Sequence, residues 1–192
     1  MAPRTAQKNR TRIALLASAR DLMAKGEDIT VARVADAAQI SRATAYRYFS
    51  DPGAIMTEVT LDLELMSTEE LLSGIEDVRA RVHAVARYYL EFSSDHEAEF
   101  RHFLAHTMKR WAEGHRDELR GARRTGAFSL ALEPVKARMA PVDFTDLVYR
   151  LSMITGVEQH IAIADILRLE PDTGIRMQAG LVDALLDKYM PE

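Results

Sequence analysis

Apolar positions recur along this chain at intervals of three and four, so each patterned stretch predicts a helix and none predicts a strand. Ile13, Leu16, Ala17 and Met23 form the first stripe, with Gly26 as its stop. The residues before it, to about position 8, are polar and basic and should stay mobile until something anionic orders them. Thr30 is a good cap for a short helix bearing Val31, Val34, Ala35 and Ala38. Gln39 and Ile40 form a turn, and Ser41 caps a second helix in which Ala45 and Phe49, four apart, face back onto Val34 and Ala38. Ile55, Val59, Leu63 and Met66 predict a linking helix from Gly53 to Leu72, closed by Ser73 and Gly74. Such a helix would be the continuous rod between the two ends of the chain, and so the element that has to move in any signal between them.

The pattern stays helical to the end. Val82, Val85, Tyr89 and Phe92 mark a helix from Val78 to Ser93, and a shorter one runs from Glu97 to about Trp111, broken at Gly114. From Asp117 to Met139 the pattern weakens, because Gly121, Gly126 and Pro134 each disfavour a helix, and a kink or break is expected near Pro134. Asp143 should cap a long helix from Phe144 to Leu169, carrying Phe144, Leu147, Val148, Leu151, Ile154, Ile161 and Ala162. Pro171 and Asp172 start the last helix, with Ile175, Ala179, Val182, Leu185, Leu186 and Tyr189 on its face. Small residues, Gly156, Ala162 and Ala164 on one and Ala179, Gly180 and Ala184 on the other, permit close approach of a second helix pair. A symmetric four-helix junction between two subunits and simple packing within the chain both fit them.

Composition narrows the class. The chain has 192 residues, 47% of them hydrophobic, which is enough for one or two domains with a substantial core. Zero cysteines exclude disulfides and thiolate metal sites and fit a reducing compartment. No apolar run reaches the ~18 residues of a membrane span, and the N-terminus lacks a signal-peptide core, so a cytoplasmic protein with no membrane partner is expected. The net charge of −4 argues at first against a polyanionic partner. Its distribution reverses that: residues 1–50 hold 9 Lys and Arg against 4 Asp and Glu, a net +5, and the rest hold 16 against 25, a net −9. A basic head on an acidic body suggests a nucleic-acid end and a self-associating or ligand-binding end. Arg4, Lys8, Arg10 and Arg12 lie just before the paired short helices.

The outer face of the second short helix is left with Arg42, Thr44, Tyr46, Arg47 and Tyr48, and no acid interrupts it from Gln39 to Ser50. These are cations and hydroxyls suited to phosphate, and guanidinium forks able to pair with guanine. A solvated helical hairpin, with Tyr46 and Tyr48 merely packing their rings, fits the same residues. Against that background the run VADAAQISRATAYRYFSDPGAI resembles the helix-turn-helix signature of the TetR family of transcriptional repressors, with Ala35, Ala38, Ser41, Thr44, Tyr46, Tyr48 and Phe49 at the expected spacing. The resemblance covers Thr30 to about Val59, with a weaker likeness in ITGVEQHIAIADILRLEP to the dimer-forming part of some members. Two positions depart from it. The usual turn Gly is Gln39, and the Lys that the family places after the YF pair, against phosphate, is replaced by Pro52, which a first helical turn accepts.

The resemblance implies an all-α homodimer with a three-helix DNA-binding domain at residues 1–51 and a ligand-binding and dimerisation domain at 52–192. It would bind a palindromic operator in double-stranded DNA, its half-sites about 34–36 Å or more apart, pair through the last two helices, and release DNA on binding a small hydrophobic effector. Outward position and family likeness assign Arg42, Thr44 and Arg47 to base edges, and Lys8, Thr30, Ser41, Tyr46 and Tyr48 to phosphate. For the effector, the body offers large adaptable side chains with a few polar ones: Tyr88, Phe92, Phe103, His106, Trp111, Phe128, Tyr149, Met153 and Glu158. Each of them fits a plain core position as well. Glu158, between the apolar turns of Ile154 and Ile161, should have a buried Arg or His partner or meet the bound molecule.

Catalysis is not expected. Glu99, His102 and His106 share a helix face, and Glu99 and His102 form one E-x-x-H unit, but a di-iron bundle needs a second copy and the chain has none. No H-E-x-x-H, G-x-S-x-G or phosphate-cradling Gly loop occurs, so neither metal nor cofactor is expected. Two other classes stay open: an accessory DNA-binding protein of the same fold without an effector, and an all-α metal-dependent enzyme using the His102 and His106 face.

Overall fold

A computed structural model describes residues 2–61, 63, 65–115 and 123–190, with the side chains of residues 2–6 and 61 outside the description. Every regular element among the described residues is a helix. In chain order these are α1 (Ala2–Ala24), α2 (Val31–Ala37), α3 (Arg42–Tyr46), α4 (Pro52–Leu61), α5 (Thr68–Leu71), α6 (Val78–Asp95), α7 (Glu97–Ala112), α8 (Arg123–Ala131), α9 (Glu133–Lys136), α10 (Pro141–Met153), α11 (Val157–Ile161), which runs on into a π-helical stretch (Ala162–Leu167), and α12 (Pro171–Tyr189). No helix among the described residues is long and apolar enough to cross a membrane. The chain groups into two compact units, residues 1–64 with 97–119 and residues 65–96 with 120–192. These are units of packing; the functional boundary expected after residue 51 is a separate division.

In the first unit α1 packs against α2, α4 and α7, α2 against α3, and α4 against α7. Leu15, Leu16, Ala19, Leu22 and Met23 of α1 are buried with Val31, Val34, Ala35, Ala45, Phe49, Ile55 and Val59. Two expectations change here. The helix begins at Ala2, so the residues expected as a mobile arm belong to α1. Its buried stripe is also rotated: Leu16 and Met23 are in the core, whereas Ile13 and Ala17 are exposed, because Leu15, Ala19 and Leu22 face the other helices instead.

The linking helix is two helices. α4 ends at Leu61, and a separate short α5 starts where the Ser67 hydroxyl accepts from the Glu70 amide at 3.2 Å. Between them the Met66 amide donates to the Tyr88 hydroxyl at 2.8 Å, a backbone group spent outside any helix.

In the second unit α6 packs against α8, α11 and α12, and α10 against α8 and α12, around Val82, Val85, Phe128, Leu132, Leu147, Leu151, Val182 and Leu186. The break expected near Pro134 falls at Leu132, between α8 and α9; Asp117 and Gly121 lie outside the described residues. The long helix expected from Phe144 to Leu169 is likewise interrupted. α10 begins at Pro141, with Ala140 as its cap and Asp143 inside the first turn, and it ends at Met153. Gly156 then takes φ +93° and ψ −161°, a backbone region that side chains exclude, and a Cβ there would fall 2.5 Å from Arg124 Nη1. So Gly156 is a chain break and not a small residue on a helix face. The close approach in this region comes from Gly174 of α12, where a Cβ would lie 2.7 Å from Ile163.

One cation of α6 joins the loop that precedes this helix to the end of α8. Arg81 donates through Nε to the Ala131 carbonyl at 3.0 Å, through Nη2 to Leu130 at 3.0 Å and through Nη1 to Ile75 at 3.1 Å. It thereby satisfies carbonyls that the end of α8 leaves without helical partners. Replacing Arg81 by Met should cost about 2–3 kcal/mol, because the apolar stem is kept and the carbonyls lose a charged donor. The check is a lower urea midpoint with an unchanged slope; an unaltered midpoint would show that water replaces the guanidinium without loss.

Candidate nucleic-acid interface

The geometry begins at the turn between α2 and α3. Thr30 is extended at φ −130° and ψ 152°, and its hydroxyl accepts from the Arg33 amide at 3.1 Å, as its capping position requires. At the other end of α2 the Gln39 amide donates to the Asp36 carbonyl at 3.1 Å and the Ile40 amide to the Ala35 carbonyl at 2.9 Å. This paired closure needs a left-handed residue at its first position after the cap, and Gln39 supplies it at φ 55°. The Cβ of Gln39 therefore sits in a conformation normally left to glycine.

α3 has five residues, fewer than an isolated helix needs to persist in water. It is held from both ends. The Ser41 hydroxyl accepts from the Thr44 amide at 3.2 Å and donates to the Thr44 hydroxyl at 2.8 Å. Ala45 and Phe49 are each only 1% exposed and anchor the inner side. The outer side is what remains: Arg42, Tyr46 and Arg47 are exposed, and Thr44 is half-buried. Tyr48 is also half-buried, its ring packed against the head core. Lys8 is exposed on α1, as is Arg10, whereas Arg12 is tied to Glu58 of α4 at 2.7 Å.

Asp36 joins these residues only through the fold. It lies outside the acid-free window from Gln39 to Ser50, yet the turn brings it to Arg42, whose Nε donates to Oδ1 at 3.1 Å and Nη2 to Oδ2 at 2.6 Å. The hydrogen bond from Arg42 holds the Asp36 carboxyl below its ordinary range against a small opposing effect of burial, and Asp36 in turn raises the Arg42 guanidinium. An i, i+6 acid and base across a two-helix turn is the signal that would have found it.

The next helix starts immediately after. Asp51 caps α4, its carboxylate accepting from the Ala54 amide at 3.0 Å and the Ser50 hydroxyl at 2.9 Å, and Pro52 takes the first helical position. Burial pushes the Asp51 carboxyl up, but the Ser50 hydroxyl, the Ala54 and Gly53 amides and the nearby His106 together hold it below its ordinary value. Gly53 is buried directly under the His106 ring of α7, where a Cβ would fall 1.8 Å from the imidazole.

The residues expected around an effector divide between the packing units. Phe103 and His106 are half-buried and Trp111 is exposed, all on α7 of the first unit. In the second, Tyr88 and Phe92 stack along α6 with centroids 5.8 Å apart, and Phe128 is wholly inside the core. Tyr149 and Met153 point outward from α10. Glu158 has the Arg partner expected of it, Arg124 at 3.0 Å, but on the surface and not in the interior. Among the described residues, no group of three or more His, Asp or Glu side chains is placed to hold a metal ion. No family model matches the chain, and no curated protein matches it.

Two outcomes test this local geometry. Gln39→Gly should stabilise the first unit by about 0.5–1 kcal/mol, the Cβ strain removed exceeding the entropy added to the unfolded chain, while Gln39→Val should destabilise it. Thermal unfolding of the two variants checks the opposite signs, and equal midpoints would contradict the strain. Asp51→Ala should cost ~1 kcal/mol at neutral pH. Because the Asp51 carboxyl is depressed on folding, its contribution is complete above the ordinary value of 3.8 and is lost as the pH falls through the lower folded value. Denaturation curves of the two proteins should therefore converge on acidification; a constant gap would contradict the capping role.

Proposed function

We propose that this chain is a helix-turn-helix transcriptional repressor of the TetR type, binding a palindromic operator as a homodimer in the cytoplasm and released by a small hydrophobic effector. The observation that carries the reading is α3: a short helix capped by Ser41, pinned inward by Ala45 and Phe49, and presenting Arg42, Tyr46 and Arg47 to solvent in the basic quarter of the chain. α3 would enter the major groove, with Arg42 and Thr44 of the helix and Arg47 at its C-terminal cap toward base edges. Lys8, the exposed hydroxyls of Thr30 and Ser41, and the Tyr46 and Tyr48 phenols would set the register on phosphate.

Pairing of two chains is supported by apolar side chains that α10 and α12 leave uncovered after burying their other faces. Val142, Tyr149 and Met153 on α10 and Met177 and Leu181 on α12 are each at least half exposed. On α12 a Cβ at Gly180 would meet nothing within 4 Å, which leaves room for another helix. A second copy laid on this face would cover these side chains and supply a second α3 for the other half-site. For the effector, the support is the run of rings along α6 and its C-terminal cap, Tyr88, Tyr89, Phe92 and His96. A ligand there would act only through a different affinity for the DNA-competent and DNA-incompetent forms.

A titration with duplex from the chain's own upstream region tests the function. Arg42→Ala or Arg47→Ala should weaken binding by about 1–3 kcal/mol and relax preference at one base pair. Lys8→Ala should weaken binding to all sequences alike and reduce the salt slope by about 1. Gel-shift titrations at several salt concentrations check both, and unchanged binding by the two Arg variants would remove α3 from the DNA.

A further inference from the structure

We propose that Asp36 is a positioning residue for base recognition: its carboxylate grips one edge of the Arg42 guanidinium so that the opposite edge is presented to a guanine. This rests on the DNA-reading function proposed above and adds to it a residue that does not itself touch the bases. The geometry is specific about edges. Asp36 takes Nε and Nη2, the side-on fork, with Oδ1 on the first and Oδ2 on the second. A guanidinium carries five N–H donors, and those left on Nη1 and the outward side of Nη2 make the end-on fork, which matches guanine O6 and N7.

The placement of the pair favours this role over a purely stabilising one. Asp36 lies in the last turn of α2, where the helix dipole disfavours an acid, and Arg42 is the first residue of α3, where it disfavours a cation. Each group is at the wrong end of its own helix and is offset by the other across the turn. Both side chains are exposed, so the pair adds little to folding, but it removes rotamer freedom from a long side chain that would otherwise have to be ordered on binding. An acid beside a phosphate backbone also repels it. The expected consequence is a trade, with lower affinity for any duplex and higher discrimination at one base pair.

The test uses the full-length chain and a pool of duplexes with a randomised core, selected and sequenced in parallel for the unaltered protein, Arg42→Ala and Asp36→Asn. The base pair at which Arg42→Ala loses guanine preference marks the Arg42 contact. Fluorescence anisotropy at one salt concentration then gives affinities for the selected duplex, for that duplex with the guanine replaced, and for an unrelated duplex. Asp36→Asn should lose about tenfold discrimination at that base pair alone and should bind the unrelated duplex more tightly than the unaltered protein does. A uniform loss of affinity on all three duplexes would make Asp36 a structural prop and overturn the proposal. Lost preference at a different base pair would overturn it too, by making Asp36 a direct contact. If the unaltered protein selects a motif that Arg42→Ala or Asp36→Asn leaves intact, only the positioning role fails. If the unaltered protein selects no motif at all, the DNA-reading function itself fails, and this assignment with it.

Discussion

A helix of five residues cannot orient itself. α3 keeps its direction because Phe49 and Ala45 are driven into the core formed by α1, α2 and α4, and because the turn at Gln39 delivers Ser41 to its capping position. Burial of a Phe side chain is worth ~2–3 kcal/mol, more than the helix could gain from its own few hydrogen bonds. What α3 presents outward is therefore decided by what it buries inward. The strained Gln39 is tolerated because the two backbone hydrogen bonds that close α2 and the side chains packed behind the turn determine its backbone together.

Electrostatics then sorts the cations of this unit into those engaged within the chain and those displayed at its surface. Arg12 is bound to Glu58, Arg33 to Glu27 and Arg42 to Asp36, whereas Lys8, Arg10 and Arg47 stand exposed. In the proposed complex the displayed group supplies most of the phosphate attraction, and an engaged guanidinium arrives with its orientation already restricted. The distribution of charge along the chain reconciles a net charge of −4 with these displayed cations: the surplus acid lies beyond residue 50.

Much of this was legible in the chain itself. The helical class, the Thr30 and Ser41 caps, the inward Ala45 and Phe49, the turn at Gln39 and the break before Pro134 all follow from spacing and local chemistry. What escaped depends on contacts between distant residues. The phase of α1 could not be read because Leu15, Ala19 and Leu22 form as good a stripe as Ile13 and Ala17, and only the facing helices choose between them. The break at Gly156 is not visible from its own neighbours in the chain, since the side chain that occupies the space beside it, Arg124, lies 32 residues earlier. Tyr149 and Met153, expected around an effector, face outward instead, because periodicity marks an apolar face without saying what covers it. Asp36 is hidden in the sequence because it belongs to the preceding helix and only the turn brings it to Arg42.

In the proposed complex the outward side of α3, held by its buried side, is where this chain meets a duplex. Recording amide chemical shifts while duplex from the chain's own upstream region is added tests it most directly, since the changes are read residue by residue. The largest changes should fall on Thr30 and on Ser41 through Tyr48, and they should shrink as salt is raised. Changes concentrated elsewhere on the chain, or none at low salt, would contradict it.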